Sequence, residues 1–237
     1  MTGITQRDNL TNMKFEEYKA SFPYRGKSIY TQLFTLHCDN IKTKKPKFAV
    51  NNLEKIFRAT FKISSKIGFH EMSLRSLCKE TGLSMGGIYS CIESKEMIAI
   101  MIKDMVNMVS SNIIDNALMY DDKSRALEEI ITQHIFATEL LQPWFYFLYF
   151  ETRSLSSEHQ KESKTIELKI ISTLENLLSQ IAEHHENDDK KFHFIATMAM
   201  SMVQEHYLKR WKYKDASLTI DNYADETLKL VYASLKN

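Results

Sequence analysis

The sequence is poor in the residues that build turns: it has six glycines and three prolines among 237 residues. It also has few stretches in which apolar and polar residues alternate, the pattern of a half-buried strand. Together these shortages argue against a turn-rich β fold and point to an all-helical chain. Cysteine is scarce and odd in number (Cys38, Cys78 and Cys91), which disfavours a disulfide framework and suits a reducing compartment. The first eight residues, Met1 to Asp8, lack the apolar core of a signal peptide. Apolar runs such as Trp144 to Phe150 are too short to span a bilayer. A cytoplasmic protein with no membrane partner is expected.

Catalytic signatures are missing as well. The chain has no P-loop, no nucleophile elbow and no dinucleotide-binding glycine pattern. None of its eight histidines has a glutamate three residues before it, as a di-iron bundle requires. His184, His185 and His193 do lie near Glu186, Asp188 and Asp189, but without tight ligand spacing, so they read as a solvated turn and not a metal site. No enzyme activity, metal or cofactor is expected.

The charge is unevenly placed. The net charge is only +1, yet residues 42–95 hold 11 Lys or Arg against 4 Glu, while residues 96–237 hold 15 against 22 Asp or Glu. A basic segment joined to an acidic one suits a phosphate-binding module with a companion domain of another purpose.

Within the basic segment, apolar residues recur at helical spacing (Leu53, Ile56, Phe57, Thr60 and Ile67), and Gly68 stops the pattern. Ser73 can cap a second helix with Leu74, Leu77, Cys78 and Thr81 on one face, and Gly82 can close it in a left-handed conformation. Ser84 then caps a third, short helix around Met85-Gly86-Gly87-Ile88-Tyr89. Helix, tight glycine-containing turn, short helix is the layout of a helix-turn-helix.

These residues carry a family resemblance. Gly68-Phe69, Ser73-Leu74-Arg75, Leu77-Cys78, Gly82-Leu83-Ser84, Gly86, Ile88-Tyr89 and Ser94-Lys95-Glu96 resemble, in unbroken register over about 45 residues, the DNA-binding domain of TetR-family transcriptional regulators. Three positions depart from it. Ile92 stands where an aromatic is usual, Cys91 where a histidine or aromatic is frequent, and Gly87 adds a second glycine that weakens a short helix by roughly 1 kcal/mol relative to alanine.

The rest of the chain reads as further helices. One runs from Lys27 to Ile41, with Pro46 expected to break any helix in the following Lys42–Lys47 stretch. After the motif come segments from Ser94 to about Leu118, Ser124 to Leu141, Pro143 to Phe150, Ser157 to His184, Phe192 to Tyr213 and Ile220 to Leu235. Counted from Leu53 these make nine helices, the number the resemblance implies. The segment at 144–150 is apolar all round and is expected to be buried. The expected domains are an N-terminal extension without a readable role (1–41), a DNA-binding domain (42–95), and a helical bundle for ligand binding and dimerisation (96–237).

The resemblance implies a set of site residues. Tyr89 and Lys95 correspond to phosphate contacts, Ser73 and Arg75 to further ones, and Ser84, Met85, Gly86, Gly87 and Ser90 face or flank the groove. None of these groove residues is an Arg, Asn or Gln, the side chains suited to bidentate base reading, so specificity is expected to lean on close approach and DNA shape. Lys44, Lys45 and Lys47 form either a basic arm to the DNA or a solvated linker. For a small apolar effector the candidates are Met105, Trp144, Phe145, Phe147, Tyr149, Met198, Met202, His206 and Tyr207; a packed core is the alternative for each. The stretch Glu205 to Trp211 resembles family members that take acyl or other apolar effectors. The resemblance also implies a homodimer through the last two helices, a double-stranded operator and a repressor's role. The competing expectation is a helical small-molecule-binding protein whose helix-turn-helix is only structural.

Overall fold

A computed structural model describes residues 13–182 and 189–236. These form twelve α-helices and one 3-10 turn, Thr152–Ser154, with no strand among the described residues. The helices are α1 (Phe15–Ser21), α2 (Ser28–Leu36), α3 (Pro46–Ile67), α4 (Leu74–Thr81), α5 (Met85–Tyr89) and α6 (Lys95–Ala117). They continue with α7 (Lys123–Leu140), α8 (Gln142–Glu151), α9 (Ser157–Ile181), α10 (Asp189–Leu208), α11 (Arg210–Asp215) and α12 (Ile220–Leu235).

The chain divides into two compact units. The head unit comprises residues 22–108 and 141–165; the body unit takes residues before 22, 109–140 and those from 166 onward. This division differs from the sequence boundaries at both ends. Residues 22–41 belong to the head because α2 packs on α3, burying Ile29, Tyr30 and Leu33. Residues 141–165 belong there too, because α8 packs on the same helix. The N-terminal extension is therefore shared out, since α1 packs on α7 in the body.

Pro46 begins α3 instead of breaking it. The first helical position needs no N–H, and the ring's fixed φ is already helical. Along α3, Ala49, Val50, Leu53, Ile56, Phe57 and Thr60 are buried, and the Thr60 hydroxyl donates to the Ile56 carbonyl at 2.9 Å. The head core is a chain of rings. Trp144 stacks on Phe57 at 5.2 Å and meets Phe61 edge-on at 5.2 Å, while Phe147 meets Phe69 edge-on at 5.0 Å. Such pairs each contribute about 0.5–1.5 kcal/mol beyond area burial. Only Trp144 and Phe147 of α8 are buried; Tyr146, Tyr149 and Phe150 stay exposed, contrary to the expectation for this apolar segment. A helix docked by one stripe at i, i+3 leaves its other faces uncovered, whatever their hydrophobicity.

In the body, α1, α10 and α12 all pack on α7. Its residues are buried almost all round, and they include the polar side chains of Glu128, Glu129, Thr132, His134 and Thr138. Most find partners. Tyr232 donates to Glu128 at 2.9 Å, Gln133 and Arg125 donate to Glu129 at 2.8 and 3.3 Å, and the Thr138 hydroxyl donates to the Ile135 carbonyl at 2.8 Å. His134 Nδ1 lies 2.7 Å from the Ile130 carbonyl, and burial pushes this imidazole down to about 4, keeping it neutral.

Two further expectations change. The single helix foreseen over 192–213 is α10 and α11, which part at Lys209 (φ −127°, ψ 41°) and bring the count beyond nine. Among the described residues one helix, α6, is long and apolar enough to cross a membrane by length and composition, although 61% of its most apolar window is buried. Burial of that share is what a core helix shows.

Candidate nucleic-acid interface

The helix-turn-helix is assembled by its caps. Ser73 Oγ accepts the Ser76 N–H and Ser76 Oγ accepts the Ser73 N–H, both at 3.1 Å, so two otherwise orphaned donors are satisfied at the start of α4. Gly82 ends that helix at φ +69°, ψ 11°, and its N–H donates to Cys78. Only glycine adopts this left-handed conformation without strain. Ser84 then accepts the Gly87 N–H at 3.1 Å and starts α5. Leu77 and Ile88 are wholly buried and hold the two helices together.

This packing sorts the candidate DNA contacts. Ser73, Arg75, Ser84, Met85, Gly86 and Tyr89 are exposed; Gly87 and Ser90 are half-buried. Tyr89, at 40% exposure, is not a core aromatic. Ser90 is less free, because its hydroxyl donates to the Gly87 carbonyl at 2.7 Å. Cys91 and Ile92, two of the departures from the resembled pattern, are both buried, and burial pushes the Cys91 thiol up. They act as core residues, so these substitutions alter packing and leave the exposed face to others.

Gly86 and Gly87 have room to spare. A methyl group on Gly86 would meet nothing nearer than Ser84 Oγ at 3.9 Å, and one on Gly87 would make only ordinary contacts from 3.4 Å outward. The fold itself therefore does not demand either glycine.

Lys95 has a structural task that the sequence did not reveal. Its ammonium donates to the carbonyls of Phe69 and His70, at 3.2 and 2.8 Å, and lies 5.2 Å from the centre of the Phe69 ring. It thus clamps the loop between α3 and α4. An ammonium has three donors, so one remains after these two bonds.

The basic stretch before α3 is held close to this surface. The Thr43 N–H donates to the Ser90 carbonyl at 3.1 Å, which ties the segment to the end of α5. Lys44, Lys45 and Lys47 are exposed around that tie, and Lys44 also donates to the Cys38 carbonyl at 2.9 Å. Sequence periodicity has no signal for such a backbone bond. Only the folded chain brings residues 43 and 90 together.

The effector candidates scatter. Met105, Trp144 and Phe147 are buried in the head, where Phe145 is half-buried and Tyr149 exposed. Met198, Met202, His206 and Tyr207 belong to the body, and of these His206 and Tyr207 are buried while Met198 is exposed. The head candidates and the body candidates are not gathered within one unit. His206 sits between Tyr213 and Tyr223, at ring separations of 5.4 and 4.7 Å, and burial pushes it down to about 4. Among the described residues no group of three His, Cys, Asp or Glu side chains is placed to hold a metal. His184, His185, Glu186 and Asp188 lie outside the described residues; His193 is 3.2 Å from Glu175.

Comparison with known proteins locates this architecture. No family model and no curated protein sequence matches the chain. Solved structures do. A TetR-family transcriptional regulator, PfmR from Thermus thermophilus, is 22% identical with a TM-score of 0.64, over 74% of this chain and 96% of that one. AibR, solved with isovaleryl coenzyme A and operator DNA, is 17% identical with a TM-score of 0.62, over 76% and 97%. FadR from Bacillus subtilis, solved with stearoyl-CoA, is 18% identical with a TM-score of 0.57, over 75% and 96%. The chain has the all-α fold of TetR-family transcriptional regulators.

Proposed function

We propose that this protein is a DNA-binding transcriptional regulator acting as a repressor. The observation that carries this reading is the head surface: a doubly capped helix-turn-helix with an exposed polar face, and a lysine-rich segment tied beside it by the Thr43–Ser90 bond. Exposed Tyr89, the remaining donor of Lys95, and Lys44, Lys45 and Lys47 supply phosphate contacts. Ser73 and Arg75 add others at the N-terminus of α4. Gly86 and Gly87, which the fold does not require, leave the backbone of α5 bare for close approach to the groove.

The same reading assigns residues 42–95 as the DNA-binding segment and the body as the sensing and dimerising part. It makes the active species a homodimer. On the last long helices, Phe194 and Met198 of α10 and Leu230 of α12 are apolar and exposed, at 65%, 44% and 58%. Side chains of this kind suit a self-complementary interface across a two-fold axis. Two heads about 34–36 Å apart then read a pseudo-palindromic operator. A small, largely apolar effector releases the DNA by binding better to a form whose heads mismatch the half-sites. The coenzyme A thioesters bound by AibR and FadR support an acyl compound as the first class to screen. The reading includes no catalysis and places the protein in the cytoplasm.

Binding of the purified protein to DNA flanking its own gene, measured across a salt series, tests this. Selective binding that weakens steeply with salt is expected. Salt-insensitive or absent binding removes the reading in favour of a helical small-molecule carrier.

A further inference from the structure

The head unit contains a half-open cavity of about 340 Å³ between α3 and α8. Its walls are aromatic: Phe61 from α3, and Tyr146, Phe147 and Phe150 from α8. Gln142 and Glu151 supply the main polar groups, and among the described residues no lysine, arginine or histidine lines it. Two serines of α3 also line it, but their hydroxyls bond back to carbonyls of their own helix.

Glu151 is the unusual feature. Its Oε1 accepts the Phe69 N–H at 3.1 Å, and it has no ion-pair partner among the described residues. A carboxylate has about four lone-pair sites. One amide therefore leaves most of this acceptor unused, on a half-buried group set against rings whose negative faces do nothing to compensate its charge. Tyr146 and Phe150, 4.6 Å apart, keep exposed ring surface at the rim.

Aromatic walls attract a cation through the ring quadrupole, and a carboxylate without a counter-charge does so by Coulomb attraction. The two together disfavour an anion and give a neutral guest nothing for the charge. We infer that this cavity binds a small organic cation, an aromatic or alkyl ammonium compound, with its charge against Glu151 and its apolar part between Phe61, Tyr146 and Phe150. The site shares Phe147 with the effector candidates named above, but it takes a cation at Glu151 in place of a largely neutral apolar compound, and it stands or falls independently of DNA binding. Because Phe69 also carries the ring and carbonyl that hold Lys95, an occupant lies two contacts from the helix-turn-helix clamp.

The test is calorimetric titration of the full chain with benzyltrimethylammonium, alongside phenylacetate and the neutral isostere neopentylbenzene. The cation is expected to bind saturably at one site per chain, more tightly than either comparison compound. Glu151→Gln keeps a carbonyl for the Phe69 N–H but removes the charge, and is expected to weaken binding by about tenfold. Tyr146→Ala, at an exposed wall position, is expected to weaken it several-fold with the melting temperature held. Equal affinity for the neutral isostere, unchanged affinity in Glu151→Gln, or no saturable heat with the unaltered protein overturns the proposal. Should Glu151→Gln fail to fold, the three-ligand comparison and Tyr146→Ala decide it.

Discussion

The head and body units solve the burial problem in different ways. The head is built on α3 around a file of rings, from Tyr30 and Phe57 through Trp144 and Phe147 to Phe69, with its helix-turn-helix tied down by caps. The body is built around one helix, α7, which carries two glutamates, two threonines and a histidine into the interior. In the head, the limits of the helix-turn-helix are written locally in Ser73, Gly82 and Ser84. In the body, the cost of burying polar groups is offset partly by residues far along the chain, such as Tyr232 for Glu128. Local signals specify the helix-turn-helix; in the body, a distant partner, Tyr232, is needed to satisfy the buried Glu128.

That contrast can be broken first at the rings. Trp144→Ala removes the side chain stacked on Phe57, and a loss of about 3–5 kcal/mol is expected in urea unfolding. A loss below about 1 kcal/mol shows that the ring file does not hold the head.

The body's buried histidine gives the next largest effect. His134 takes up a proton near 6.5 when unfolded and only near 4 when folded. Between these values the unfolded state binds more protons, so stability present above about pH 6.5 is lost as pH falls towards 4. The difference corresponds to on the order of 3 kcal/mol. Unfolding curves at pH 7, 6 and 5 are expected to show this slope, and His134→Leu to make it shallower. His206, lowered in the same way, supplies a remaining slope. An identical slope in His134→Leu removes His134 as its source.

The proposed contacts with DNA rank third. Lys95→Ala is expected to weaken operator binding by about tenfold, or about 1.4 kcal/mol, with Tyr89→Phe somewhat milder and the dimer intact in both. Lys95→Ala alone should also loosen the α3–α4 loop, because the Phe69 and His70 carbonyls lose their donor. Hydrogen exchange in residues 68–73 separates the two effects. Unchanged affinity for both variants takes these residues off the DNA surface.

The smallest expected effect is on a cap. Ser73→Ala leaves the Ser76 N–H without its acceptor and should cost about 1 kcal/mol, read as a shift in the urea midpoint. An unchanged midpoint contradicts the idea that the head is specified locally.

Much of the head is legible in the sequence because capping and glycine stops act within a few residues. Ser73, Gly82 and Ser84 occupy the positions their chemistry implies. The beginning of α3 is not, because proline has two opposite meanings, breaker inside a helix and starter at its first turn, and only the flanking chain decides between them. The segment at 144–150 misleads because hydrophobicity measures what a helix can bury, not how much of it finds a neighbour. Effector candidates chosen by residue type carry no sign that Trp144 belongs to the head and His206 to the body.

Three features follow from the amino-acid order alone: the helical class, the capped helix-turn-helix and the concentration of basic charge in residues 42–95. Each depends on propensity, periodicity or composition, which act over one or two helical turns. Folding in three dimensions was needed to join residues 22–41 and 141–165 to the head, to bring Thr43 to Ser90 and Lys95 to Phe69, and to set Glu151 on an aromatic cavity without a counter-charge. These are contacts between residues about 25 to 80 positions apart. No local preference encodes them, because they exist only once the intervening chain has given up its conformational entropy and closed.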